Sequence, residues 1–159
     1  EPVVLYFEDP TIYSGFKLYF DEIWDRRAET LFGHQGIIDV CERMLEQKED
    51  LYLIGATGTM LRTHAEYFRE FTKRRVQQKI QMHILADENV RGTNMSTLPL
   101  KKIRYLPSAF ASPMATWIFG NTVAQVLWRE PETIFLIHDA AVAGQYRDYF
   151  ERLTKISRA

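Results

Sequence analysis

The chain holds four histidines and one cysteine, its candidates for nucleophile, general base or metal ligand. His34 lies between Gly33 and Gly36 and reads as a solvated turn residue. His64 falls on the apolar helical stripe Leu61, His64, Phe68, Phe71, which reads as a hydrogen-bonded core histidine. His83 shares a strand face with Leu85, so it can line a pocket. His138 and Asp139 are adjacent, and neighbours on a strand point to opposite faces, so they make a poor catalytic dyad. Asp139 reads instead as a helix cap. No His, Asp or Glu pair has the spacing of a metal motif such as His-Glu-x-x-His, so neither metal nor cofactor is expected. Cys41 sits in the stripe Ile37, Val40, Cys41, Met44, Leu45 and reads as a buried small residue rather than a nucleophile.

Four stretches have the composition of binding sites. Gly55-Ala56-Thr57-Gly58 joins a strand to a helix N-terminus, where backbone amides can hold an anion; a plain tight turn is the favoured reading. Lys73, Arg74, Arg75 and Lys79 gather at a helix C-terminus, which suits the helix dipole on a solvated face, with phosphate or nucleic-acid contact as the alternative. Lys101, Lys102 and Arg104 form a second, weaker basic cluster. The loop Ala86-Asp87-Glu88-Asn89-Val90-Arg91-Gly92 follows a strand, where α/β proteins commonly bind ligands. Asp87, Asn89 and Arg91 can hydrogen-bond a polyol while Trp117 or Trp128 offers an apolar stacking face. An exposed loop without a ligand is the competing reading. The ligand-binding candidates are therefore Asp87, Asn89, Arg91, Arg104, Trp117 and Asn121, with no catalytic residue among them.

Whole-chain properties narrow the field. At 159 residues, with 46% hydrophobic and 13% aromatic content, the chain reads as one globular domain over 1–159 with a core of its own. Within it, 1–36 is an N-terminal strand–helix element and 37–159 the main unit. A formal charge of −1 lacks the basic excess of a nucleic-acid module. There is no long apolar run and no signal peptide, and a lone cysteine permits no intrachain disulfide; together these point to the cytoplasm. A start at Glu1 rather than Met suggests a processed or excised piece of a longer protein.

The elements that must position these groups follow from periodicity. Val3–Phe7 reads as a strand. Asp9-Pro10 caps a helix with Ile12, Phe16, Tyr19, Phe20 and Ile23 on one stripe. A helix is expected over about 36–48, a strand over 51–54, and a third helix from Gly58 to the Lys73-Arg74-Arg75 run. Strands follow at 80–85 and 103–106, then a hairpin at about 115–119 and 122–128, and a strand at 133–137. The last helix buries Val142, Tyr146, Tyr149, Phe150 and Leu153. Residues 131–153 also lie on residues 1–23 without a gap: Asp139 matches Asp9, Arg147 matches Lys17, and Tyr149-Phe150-Glu151 matches Tyr19-Phe20-Asp21. Strands and helices in this order argue an α/β fold with a mixed sheet.

Five segments taken in order add a family. LYLIGATG, YFREFTKRR, IQMHILADENVRG, IRYLPSAFASPMATWIFGNTVAQVLW and IFLIHDAAVAGQYRDYFERL resemble the phospholipase-D-like domain of TrmB-type prokaryotic transcriptional regulators. The likeness covers about 50–153. Its most specific parts are Arg104-x-Leu106-Pro107, Ser112-Pro113 and Trp117-Ile118-Phe119-Gly120.

The resemblance implies a mixed sheet flanked by helices, a sugar or related small-molecule effector, and a homodimer. It also implies DNA contact only through a helix-turn-helix module that these residues do not include. The apolar hairpin and the repeated strand–helix elements are candidate dimer surfaces. Active relatives carry His-x-Lys-(x)4-Asp, with histidine taking the phosphoryl group and lysine holding its charge. With Phe119-Gly120-Asn121 as the turn, those places fall on Ser112, Met114 and Phe119. No His-x-Lys occurs anywhere in the chain. The expectation is a non-catalytic sensor and dimerisation domain; the alternatives are a phosphodiesterase using His64 or His83 with Arg74, Arg75 or Arg104, or a pure protein-interaction module.

Overall fold

A computed structural model of the chain describes residues 9–24 and 27–159. The strand expected at Val3–Phe7 lies outside the described residues. Helix α1, Pro10–Trp24, starts where Asp9 accepts hydrogen bonds from the amides of Thr11 (2.7 Å) and Ile12 (3.3 Å). Ile12, Tyr13 and Leu18 of α1 are exposed, while the side chains of Phe16, Tyr19, Phe20 and Ile23 are not described.

Strand β1, Ala28–Phe32, was not anticipated. Its exposed–intermediate alternation carries Ala28, Glu29 and Thr30, a weak strand pattern that tertiary pairing completes. Helix α2, Gly33–Gln47, then buries Ile37, Val40, Cys41, Met44 and Leu45 along one stripe. β2 is Leu51–Ala56. The single helix expected after Gly58 is two, α3 (Thr59–Thr63) and α4 (Ala65–Gln77), broken at His64. β3 (Met82–Asp87) is followed by two short 3-10 turns and by β4 (Lys101–Leu106). The hairpin is β5 (Met114–Phe119) and β6 (Thr122–Leu127); β7 (Thr133–His138) and α5 (Ala140–Ile156) close the described fold.

The strands form one mixed sheet in the order β1-β7-β6-β5-β2-β3-β4. β2, β3 and β4 run parallel, and the remaining pairs are antiparallel. Alternate residues feed two cores. On one face Leu51, Met82, Ile84, Trp117, Phe119 and Leu136 pack with α2 and α4. On the other, Ile54, Leu85, Ile118 and Val123 pack against Ala143, Phe150 and Leu153 of α5. The β5–β6 hairpin thus lies in mid-sheet with Trp117, Ile118, Phe119 and Val123 buried, which removes its strands as a dimer surface. Among the described residues, no helix is long and apolar enough to cross a membrane.

Candidate functional site

The registers define two rims. β2, β3, β4, β6 and β1 end, and β5 and β7 begin, at a first rim marked by Ala56, Asp87, Leu106, Leu127, Phe32, Met114 and Thr133. The second rim holds Leu51, Met82, Lys101, the Gly120-Asn121 turn and His138. Ser112 and Met114 sit at the first rim, where the Ser112 hydroxyl accepts from the Met114 amide at 3.1 Å. Phe119 ends β5 at the second rim and is 1% exposed. A carboxylate there would be desolvated without a partner. Gly120 follows with φ +48°, and a side chain on it would meet Gln47 Oε1 at 2.7 Å, so the turn is committed to glycine.

At the first rim the sheet is apolar. Trp117 and Trp128 meet edge to face, with centroids 5.8 Å apart. They line an inner cavity of about 40 Å³ with Leu53, Met60, Met95 and Leu98. Met95 also borders an adjoining cleft of about 250 Å³ with Thr57, Gly58, Arg62 and Thr93. The indole N–H of Trp128 is buried and has no hydrogen-bond partner. Gly55-Ala56-Thr57-Gly58 forms the turn at this rim; Arg62 donates to the Thr57 carbonyl at 3.3 Å and the Thr57 and Thr59 hydroxyls bond at 2.8 Å.

The six ligand-binding candidates are not gathered in one place. Asp87 accepts from the Asn89 amide at 2.9 Å and so shapes the loop. Arg91 pairs with Glu88 at 2.7 Å, donates to the Ala159 carbonyl at 2.7 Å, and lies over the Tyr105 ring at 4.0 Å. Arg104 donates to the Ser157 hydroxyl and carbonyl, both at 2.7 Å. Arg91 and Arg104 therefore hold the 157–159 segment beside β4, where Tyr105 and Arg158 form an antiparallel bridge. Trp117 is 4% exposed and packs in the core between the sheet and helices α2 and α4. Asn121 is in the turn at the second rim, where its carbonyl accepts from the Asp139 amide at 2.9 Å.

The basic run is likewise taken up by structure. Arg75 is fully buried, not solvated; its guanidinium donates to the carbonyls of Ile80 (2.6 Å), Leu100 (2.9 Å) and Pro99 (2.6 Å). Burial moves its pKa down. Arg74 makes a two-pronged bond to Glu42 at 2.7 and 2.8 Å, joining α4 to α2 and holding the Glu42 carboxyl below its ordinary range. With Arg104 also committed, none of the three arginines stands ready beside a histidine as a phosphate clamp.

Each histidine has a partner. His83 bonds Asp50 at 3.1 Å and stacks on Tyr52. His138 bonds the Thr122 hydroxyl at 3.0 Å and Glu29 at 2.7 Å, and Glu29 also pairs with Arg43. The hydrogen bond from Arg43, followed by that of His138, holds the Glu29 carboxyl low against its partial burial. Asp139 caps α5 as expected, accepting from the Ala141 and Val142 amides at 2.8 and 3.0 Å. His64 is buried and bonded as expected, to Glu132 at 2.9 Å, but also to His34 at 2.5 Å. His34 is exposed as expected, but it lies in α2 rather than a turn and bonds His64. One acidic residue before a strand gives no sequence cue to Glu132; only the 68-residue separation closed by the fold reveals it.

The sheet and its flanking helices make this a phospholipase-D-like fold. TrmBL2, described as an archaeal chromatin protein with a novel mode of DNA binding, superposes over 93% of this chain with TM-score 0.58 and 13% identity. This chain spans 64% of TrmBL2. NucT from Helicobacter pylori superposes over 83% of this chain and 98% of its own, with TM-score 0.60 and 11% identity. Nuc from Salmonella typhimurium, a phospholipase D family member, does so over 82% and 97%, with TM-score 0.55 and 12% identity. No family model and no curated protein sequence matches the chain.

Proposed function

We propose that this chain is a non-catalytic effector-sensing and dimerisation domain of a TrmB-like transcriptional regulator in the cytoplasm. The observation that carries the reading is the register of the β5–β6 hairpin. It sets Met114 at one end of β5 and Phe119 at the other, and by the resemblance Ser112, Met114 and Phe119 stand where an active relative has histidine, lysine and aspartate. Serine lacks the imidazole nucleophile, methionine carries no charge for a phosphate, and Phe119 is core. The rim that would hold a phosphodiester instead offers the Trp117–Trp128 wall and the cavity beside Met95. A small effector, a sugar or a related molecule, would enter there through the Thr57–Met95 cleft. Asp87 and Asn89 would meet it from the loop edge.

An effector that binds one subunit arrangement better than another shifts the population and so biases an attached DNA-binding module. The outward apolar side chains Phe32 and Phe135, with α1, are the surface we assign to the homodimer. DNA contact would fall to a helix-turn-helix module outside these residues.

The experiment is a thermal-shift screen against sugars, nucleotides and phosphates, with tryptophan fluorescence on every hit, run beside an assay for bis(p-nitrophenyl) phosphate turnover. A hit that shifts both melting and fluorescence, without turnover, is the expected result. Turnover lost in His83→Ala would overturn the reading. Absence of any hit would favour an assembly module that binds no small ligand.

A further inference from the structure

One line of ionisable groups runs from the interior to the surface and is left unused by the proposed function. Glu132 is 8% exposed and His64 5% exposed, and they bond at 2.9 Å through His64 Nε2. His64 Nδ1 meets Nδ1 of the exposed His34 at 2.5 Å, and the two rings stack with centroids 4.7 Å apart. A carboxylate can only accept, so His64 donates from Nε2 to Glu132. A neutral His64 then has Nδ1 as acceptor, and His34 must donate from its own Nδ1. That leaves Nε2 of His34 unprotonated, beside an open cleft of about 440 Å³ bordered by Ile38, Thr63, Ala65, Glu66 and Tyr67.

This contact has a fixed proton capacity. Two imidazoles joined through Nδ1 can share one proton between those atoms, so at least one ring must stay neutral at Nδ1. A proton arriving at His34 Nε2 can be accommodated, because the Nδ1 proton can pass to His64 and the charge then faces Glu132. Once both rings are full imidazolium ions, two N–H groups and two positive charges oppose each other at 2.5 Å and the contact cannot persist.

We propose that Glu132, His64 and His34 form a proton-operated latch over this cleft. It is closed when the two rings share the Nδ1 proton and open when both are charged. Opening turns the His34 side chain to solvent and leaves the His64–Glu132 ion pair as the cleft floor. The backbone stays in place, because the Gly33 amide donates to the Glu132 carbonyl at 2.8 Å independently of the rings.

The other groups facing the latch do not replace it. From α4, Glu66 borders the cleft as an exposed carboxylate. Tyr67 is tied to Glu42 at 2.8 Å, and burial pushes its hydroxyl up, so it stays neutral. From the segment before β7, Trp128 presents a ring 6.3 Å from His64, and its N–H has no partner. From α2, Asp39 is engaged by Gln35 at 2.7 Å. No lysine or arginine borders the cleft among the described residues.

The sign of the pH effect follows. In acid the unfolded chain binds a proton on each ring, whereas the closed latch cannot, so stability falls as pH falls. Each extra proton bound on unfolding lowers the folding equilibrium constant about tenfold per pH unit.

The test is a histidine-ring proton–nitrogen correlation spectrum of the whole chain between pH 8 and 5, with urea unfolding at each pH. Expected at pH 8 are the Nε2–H tautomer on His64 and the less common Nδ1–H tautomer on His34. The two rings should change together on acidification. His34→Gln alters an exposed side chain, so the protein should fold, and its unfolding should lose about one proton of acid dependence. An Nε2–H tautomer on His34 at pH 8 would overturn the proposal. So would unaltered acid dependence in His34→Gln.

Discussion

The two rims of the sheet are made from the same strands and do opposite things. The second rim is a working joint of polar groups. Arg75 collects three carbonyls ahead of β3 and β4, Arg147 reaches the Gly120 carbonyl, Asp139 caps α5, and Glu29 links His138 to Arg43. The first rim has an inner wall of Trp117, Trp128, Met60 and Met95, where the Trp128 N–H is buried and unpaired, as is Nε of Arg75 at the second rim. The second rim uses its polar groups to join strands and helices, whereas the first sets an apolar wall beside the buried His64–Glu132 bond. A retained fold and a retained site are separate properties.

That contrast can be tested by substitution. The largest effect belongs to Arg75→Met at the second rim, which takes the donor from the Ile80 and Pro99 carbonyls, while the Leu100 carbonyl keeps the Met82 amide. At about 1–3 kcal/mol for each orphaned group, unfolding in urea should lose about 4 kcal/mol. Next is His64→Ala, which strands the buried Glu132 carboxylate beside the first rim and should cost about 3 kcal/mol. A loss well under 1 kcal/mol there would mean that Glu132 finds another partner. Asp139→Ala removes the cap of α5 and should cost about 1 kcal/mol, read from the same transition.

Smaller still is the acid response of Glu42. Its folded pKa lies below the ordinary 4.5 because Arg74 bonds it. The stability it contributes is thus present above about that value and lost as pH falls through the lower folded one. In Glu42→Gln, stability measured from pH 6 to 3 should decline less steeply than in the unaltered chain. The smallest effect is Trp128→Phe at the first rim. It deletes an N–H that has no partner, so stability should hold within about 0.5 kcal/mol, and a loss of 2 kcal/mol would show that the N–H is in use. Separately, burial pushes the Cys41 thiol far up, so a disulfide reagent at pH 8 should label it only on unfolding.

Much of the architecture was legible from local pattern. The stripe of α2, the alternation of β5 and β6, and the Asp9 and Asp139 caps all rest on contacts a few residues apart. β1 was not legible, because Ala28 and Glu29 have little strand preference and depend on pairing with Leu136 and Ile137. The helix break at His64 is not legible either; there the backbone leaves helical geometry and the side chain bonds Glu132 on a distant segment. The repeat shows the same limit. Asp9 and Asp139 both cap helices, yet α5 buries Phe150 and Leu153 while Ile12, Tyr13 and Leu18 of α1 remain outside.

Residue types alone determined that the chain has no His-x-Lys, one thiol and near-neutral charge, and that its second half is a hairpin-centred sheet. These are matters of composition and short-range period, which any fold must respect. Tertiary structure decided which polar groups are free. Arg74, Arg75, Arg91 and Arg104 read as open cations in the sequence and are all committed in the fold, while His34 is exposed as read and also bonds His64. The reason is physical: most buried donors and acceptors find a partner, and the partner is set by which distant backbone or side chain the fold brings within about 3 Å.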